Sequence, residues 1–130
     1  MAGNFQDDWA VDSLRDFLAN CTPDTFFEGL VALYKNATPD GADHYPVVYE
    51  KIMRLWREEP RISTEDLATI TAPTLVVSGD RDVITLEHTI ALFRAVPNAQ
   101  LSIIPGSTHM FISEKPGVVD DIILRFVRDH

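Results

Sequence analysis

The chain reads as an α/β protein, and three observations carry that reading. A continuous run of apolar and β-branched residues, Thr74-Leu75-Val76-Val77-Ser78, follows Pro73 and closes on Gly79. Such a run suits a strand buried on both faces, as in a parallel sheet. A second short strand, Gln100 to Ile104, closes on Pro105-Gly106. A segment of helical period follows each strand, and strands that alternate with helices of 10–14 residues pair in parallel through crossovers. The expected architecture is therefore two parallel strands with flanking helices, preceded by a helical segment.

Residues 1–62 form that helical segment, with residues 63–130 as the β-α-β-α part. Around residues 8–19, Val11, Leu14 and Leu18 share one helical face, with Trp9 and Phe17 beside it. Thr22 suits an N-cap and Pro23 a first helical position, which predicts a second helix from there. Its stripe is Phe26, Leu30, Leu33 and Ala37, widened by Phe27, Val31 and Tyr34, and it ends at Thr38-Pro39-Asp40-Gly41. A third helix, Tyr45 to Glu58, is expected to bury Val48, Ile52, Leu55 and Trp56 and to stop before Pro60. Trp9, Phe26, Phe27, Tyr34, Tyr45, Tyr49 and Trp56 would build the core of this segment.

The period changes after residue 62. Ser63-Thr64-Glu65-Asp66 caps one or two short turns that end near Ile70. Between the strands a helix runs from Thr85 or Leu86 to Val96, with Ile90 and Phe93 inward, His88 on the outer face, and Pro97-Asn98 as terminator. The last helix starts at Ser113 or Pro116 and reaches Val127, with Val118 or Val119, Ile122, Ile123, Phe126 and Val127 at helical spacing. Two strands alone make a poor sheet. The edge of strand 74–78 is therefore expected to lie uncovered, open to a partner strand.

Composition narrows the function classes. The chain has 130 residues, with 45% hydrophobic and 24% charged, which suits one globular domain but is short for a complete α/β enzyme. Its net charge of −9, with 11 Lys and Arg scattered singly, argues against nucleic acid and against anionic membranes as partners. No apolar run approaches 18 residues, and MAGNFQDDWA lacks the basic and apolar regions of a secretory signal. A lone cysteine, Cys21, cannot form an internal disulfide. These features fit a cytoplasmic protein.

In open parallel sheets, ligands bind beyond the carboxyl ends of the strands. Asp82 lies there in Gly79-Asp80-Arg81-Asp82-Val83-Ile84, and His109 in Pro105-Gly106-Ser107-Thr108-His109. With the strands adjacent and parallel, both loops emerge on the same edge, so the two side chains can meet. A carboxylate that accepts from histidine Nδ1–H fixes the tautomer and orients a base. Asp80 competes for the carboxylate role. Asp80-Arg81-Asp82-Val83-Ile84 also approaches the D-x-D-x-T of haloacid-dehalogenase-like phosphatases, but Ile84 stands in place of the threonine. Ser78 and Ser107 are the serines near this edge, and Cys21 reads as a packed small side chain. His44, His88 and His130 show no metal-ligand spacing, so no metal is expected.

The stretch from Ile70 to Phe126, ITAPTLVVSGDRDVITLEHTIALFRAVPNAQLSIIPGSTHMFISEKPGVVDDIILRF, resembles the end of an α/β-hydrolase-fold enzyme. That family shows I-x-x-P-T-L-h-h-x-G-x-x-D before a helix, then a strand, then G-x-x-H. Residues 8–62, through TPDTF, LYKNATPDG and VVYEKIMRLWREEP, resemble more loosely its helical cap. The resemblance implies a partial α/β-hydrolase fold, with Asp82 as triad acid and His109 as general base. It implies no cofactor, and hydrolysis of an ester, amide or C–C bond of a small molecule through an acyl-enzyme. The family's nucleophile sits in G-x-S-x-G on a strand-to-helix turn. Neither that motif, nor G-x-C-x-G or G-x-D-x-G, nor an H-G-type oxyanion loop occurs in these 130 residues. In the family both lie on the N-terminal half. The chain alone is thus expected to turn over little, and to join a second copy or a complementing N-terminal half. The other reading is a non-catalytic module that oligomerises or binds a partner through the strand edge.

Overall fold

A computed structural model describes residues 9–58 and 61–130. Two compact units emerge among the described residues, one spanning 12–58 and the other 9–11 together with 61–130.

The first unit is helical: α1 (Asp12–Asn20), α2 (Glu28–Ala37), a 3-10 turn (Ala42–His44) and α3 (Tyr45–Glu58). The expected start of α2 at Pro23 is not observed. Thr22 O accepts from both Thr25 and Phe26 N–H, so residues 22–26 close a separate turn and the helix begins at Glu28. Leu30 and Leu33 are exposed, and α2 has no buried residue. In α3 the buried stripe is Tyr45, Tyr49 and Met53, flanked by half-buried Val48, Ile52 and Trp56. These residues follow i, i+4 spacing, and Leu55, at the edge of the stripe beside Val48, is exposed. Phe26 sits at the centre of the aromatic core, with ring centroids 5.4 Å from Tyr49 and 5.8 Å from Trp56. Phe27 is 4.7 Å from Phe17 yet remains partly exposed. The Tyr49 hydroxyl donates to Cys21 O at 2.7 Å and lies 3.5 Å from Cys21 Sγ. Burial and the thiol push the Tyr49 phenol up to about 12.

The second unit contains α4 (Thr64–Leu67), β1 (Thr74–Gly79), α5 (Leu86–Ala95), β2 (Ala99–Ile104), α6 (Phe111–Glu114) and α7 (Pro116–Asp129). Helix starts follow local capping chemistry. Ser63 Oγ accepts from Asp66 N–H at 3.0 Å, and Thr85 Oγ1 accepts from His88 N–H at 3.2 Å. β1 and β2 pair in parallel, in register from Thr74↔Ala99 to Gly79↔Ile104. Val77, Ile104, Phe111 and Val119 form the core, with Leu75 and Ile122 packed against it. Each such side chain contributes roughly 1.5–3 kcal/mol by leaving water. A smaller cluster joins Leu67 and Val96 to Leu92, Ala95 and Ala99.

Several expectations are corrected here. Trp9 does not belong to a helix: Trp9 O accepts from Thr85 N–H and Val11 N–H donates to Val83 O, both at 2.9 Å. These bonds flank an antiparallel bridge between Ala10 and Ile84. His88 is not on an outer face: like its neighbour Thr89 it is buried, only 6% exposed. The last helix is broken at Lys115, leaving α6 as a single turn. Ile123 and Val127 on α7 are exposed.

Among the described residues β1 has a strand partner on one side only. Thr74 and Asp80 N–H donate to Asn98 and Ile104 O. By parallel alternation the amides of Leu75 and Val77 therefore point away from β2. Val76, Val77, Ser78 and Gly79 are buried as whole residues. Among the described residues no helix is long and apolar enough to cross a membrane.

Candidate functional site

The register brings the last residues of the two strands, Gly79 and Ile104, side by side. The loops that follow are joined at once. Asp80 N–H donates to Ile104 O at 3.2 Å and Arg81 N–H to Ser107 O at 3.0 Å. Asp80 Oδ1 accepts from Ser107 N–H at 3.2 Å. The backbone amide of Gly106, then that of Ser107, holds the Asp80 carboxyl below its ordinary range. Gly106 adopts φ 65°, the left-handed conformation that a side chain rarely takes. Gly79 is needed for a different reason: a Cβ there would lie 2.2 Å from Ser107 O and 2.6 Å from Thr108 O.

Within this frame Asp82 and His109 come together. His109 Nδ1 lies 2.9 Å from Asp82 Oδ1. The aspartate side chain is 0% exposed and that of the histidine 42%. Asp82 Oδ1 also accepts from Ile84 N–H at 2.9 Å, and Oδ2 accepts from Ser78 Oγ at 3.0 Å. A carboxylate offers only acceptors, so Nδ1 is the donor of this bond and Nε2 is the ring nitrogen left free of Asp82. The carboxylate is thus enclosed and fully solvated by protein donors, while the imidazole reaches the surface.

A second carboxylate supports the histidine loop from the other side. Glu114 accepts from Thr108 N–H at 2.8 Å through Oε2 and from Thr108 Oγ1 at 2.7 Å through Oε1. The Thr108 hydroxyl and amide hold the Glu114 carboxyl below its ordinary range. Thr108 Oγ1 in turn accepts from Met110 N–H at 3.2 Å.

The other residues singled out from the sequence lie apart from this pair or are otherwise engaged. Asp80 faces the Gly106–Ser107 backbone. Ser78 and Ser107 are each 0% exposed, and Ser107 Oγ donates to Ile104 O at 2.9 Å. Both hydroxyl protons are therefore committed to structural bonds. Cys21 belongs to the helical unit, packed against Tyr49 and Met53. His130 Nδ1 lies 2.9 Å from Phe126 O, one helical turn back. Among the described residues no group of three or more His, Cys, Asp or Glu could hold a metal. Within the helical unit a cavity of about 320 Å³ is lined by Pro23, Asp24, Phe26, Glu28, Val31, Ala32 and Lys35.

Sequence reasoning missed three contributors. Ser78 stands four residues before Asp82, a spacing that could have suggested a donor to the carboxylate. The Ile84 amide follows from the tight turn after Asp82. Glu114 gave no signal, because its bond to Thr108 depends on where α6 breaks.

No family model matches the chain. A Mycobacterium tuberculosis (strain H37Rv) protein that bears the name of a phosphoribosyl transferase is 34% identical over 64 residues, 48% of this chain and 14% of that protein. A Synechocystis protein that bears the name of a non-heme chloroperoxidase is 38% identical over 66 residues, 49% of this chain and 24% of that protein. Among solved structures, a meta-cleavage product hydrolase from Pseudomonas fluorescens IP01 matches with TM-score 0.68 and 16% identity, over 98% of this chain and 53% of the other. A serine hydrolase involved in carbazole degradation matches with TM-score 0.62 and 20% identity, over 84% and 48%. The chain thus spans about half the length of these structures and a smaller part of the two sequence relatives. With its parallel strand pair and flanking helices, the chain has the α/β-hydrolase fold, of which it carries a C-terminal portion.

Proposed function

We propose that this chain supplies the acid and base of an α/β-hydrolase active site, Asp82 and His109. The observation that carries the reading is the enclosed Asp82 carboxylate 2.9 Å from His109 Nδ1, beside an imidazole whose side chain is 42% exposed. In the complete enzyme His109 Nε2 takes the proton of a nucleophile from the N-terminal half. The nucleophile adds to the carbonyl carbon of a small-molecule ester, amide or C–C substrate. The resulting imidazolium then protonates the leaving group. Water repeats the sequence to release the acid. Asp82 orients the ring and stabilises the imidazolium.

The test is reconstitution. The chain is assayed with an activated ester, alone and after co-expression with an N-terminal half that carries G-x-S-x-G. Alone, turnover is expected to be lower by on the order of 10⁶, the usual effect of a missing nucleophile. In the complex, activity should appear and should be lost in His109→Ala. Robust turnover by the chain alone that vanishes in His109→Ala would place a nucleophile within these residues instead. Activity in the complex that is unaffected by His109→Ala would refute the role of the base.

A second reading, a module that pairs with a further copy or another protein, is favoured by the one-sided pairing of β1. The amides of Leu75 and Val77 that face away from β2 are suited to a partner strand. Light scattering separates the cases, since a monodisperse monomer counts against pairing between copies.

A further inference from the structure

We propose that Glu114 is a positioning residue for His109, acting through Thr108 to fix the backbone that aims the imidazole. The inference rests on reading His109 as the base. Glu114 does not touch Asp82 or His109; its carboxylate takes both donors of Thr108, N–H at 2.8 Å and Oγ1–H at 2.7 Å. The Thr108 hydroxyl has one proton, so giving it to Glu114 leaves the oxygen lone pairs facing Met110 N–H, 3.2 Å away. One hydroxyl therefore ties together the residues on either side of His109. The loop's flank nearer β2 is held by Ser107, whose amide bonds Asp80 and whose carbonyl accepts from Arg81. That flank fixes where the loop leaves β2, whereas Glu114 fixes the loop at the histidine itself. Nothing else described anchors the Thr108 amide. With the His109 side chain 42% exposed, its direction rests on the bond to Asp82 and on the backbone that carries it. Two charge-assisted bonds from a carboxylate are the strong kind that can do so.

The full chain, labelled with ¹⁵N-histidine, provides the test. The readouts are the His109 Nδ1–H resonance, its exchange with water, and the ring tautomer, none of which a purely structural role for Glu114 would move while the fold persists. Wild type should show the Nδ1–H tautomer with a protected proton. Glu114→Ala should keep the fold, by circular dichroism, but speed that exchange about tenfold and mix the tautomers, as expected for loss of charge-assisted bonds. Glu114→Gln should largely rescue, because its amide oxygen accepts from Thr108 N–H while its amide nitrogen donates to Oγ1. If Glu114→Ala does not fold, Thr108→Val decides, with faster exchange expected. A protected Nδ1–H in wild type that is unchanged in Glu114→Ala, or in Thr108→Val, overturns the positioning role alone. Absence of that tautomer in wild type overturns the acid–base reading and this inference with it.

Discussion

Replacing Gly79 with alanine should disturb the Asp82–His109 contact without touching either member. The new Cβ would stand 2.2 Å from Ser107 O and 2.6 Å from Thr108 O. Carbon and carbonyl oxygen approach comfortably only to about 3.3 Å, so the histidine loop must retreat by about 1 Å. Neither strand end can yield easily, because Gly79 is paired with Ile104 and is buried. Overpacking of this kind costs about 1–3 kcal/mol. The same retreat would lengthen the 2.9 Å bond between His109 and Asp82 past the roughly 3.5 Å at which such a bond is lost. In a reconstituted enzyme, a misplacement of about 1 Å should lower kcat on the order of 10²-fold. Urea unfolding measures the first effect and the His109 Nδ1–H resonance the second. Gly117→Ala is the control: beyond its own helix turn an added Cβ there would meet nothing within 4 Å, and it should stabilise by about 0.4–1 kcal/mol. A Gly79→Ala chain as stable as wild type, with an unmoved His109 resonance, would refute the reasoning.

Phe111→Ala should destabilise the second unit by about 3–5 kcal/mol, since Phe111 is 3% exposed within the Val77–Ile104–Val119 cluster; denaturant titration reads the loss. In the reconstituted enzyme Asp82→Asn should lower kcat by about 10⁴-fold through the wrong tautomer, and an unchanged kcat would remove Asp82 from the mechanism. The Asp80 and Glu114 carboxyls are both held below their ordinary values of 3.8 and 4.5 by hydrogen bonds in the fold. The stability they lend is therefore present above those values and is lost as pH falls through the depressed ones. The amide resonances of Ser107 and Thr108 should follow that acid titration, and midpoints at the ordinary values would contradict it. Tyr49 is raised from 10.0 to about 12, so its contribution is intact below pH 10 and disappears as pH climbs through the folded value. A tyrosinate absorbance titration should show the phenols of Tyr45 and Tyr49 ionising late, with Tyr49 near pH 12, together with loss of helical signal.

Strand and helix order in residues 63–130 was legible because each element carries its own local signal. The run Thr74–Ser78 is β-branched and apolar, Thr85 caps its helix, and Pro97-Asn98 ends it. The meeting of Asp82 and His109 followed from topology, since adjacent parallel strands deliver consecutive loops to one edge. The helical segment was harder. Leu30 and Leu33 have the right period for burial but are exposed, because period reports a face and not what covers it. In α3 two readings of the stripe differ by one residue, and the aromatic contacts of Tyr45 and Tyr49 decide between them. The pairing of Ala10 with Ile84 spans 74 positions and depends on chain geometry that no local pattern encodes. The break at Lys115, and with it the Glu114–Thr108 contact, is likewise a tertiary outcome.

The register Gly79↔Ile104 has a consequence for folding fidelity. Each loop leaves its strand at a fixed residue, so the strand pairing acts as the caliper that spaces Asp82 from His109. A slip of one residue would displace the histidine loop by about 3.3 Å and send Val77 and Ile104 to opposite faces. That displacement exceeds the whole length of the 2.9 Å bond it would have to preserve. Misregistered chains would therefore lose the hydrophobic core and the Asp82–His109 contact together, and any population that protects its β-strand amides in the native pattern carries an assembled pair.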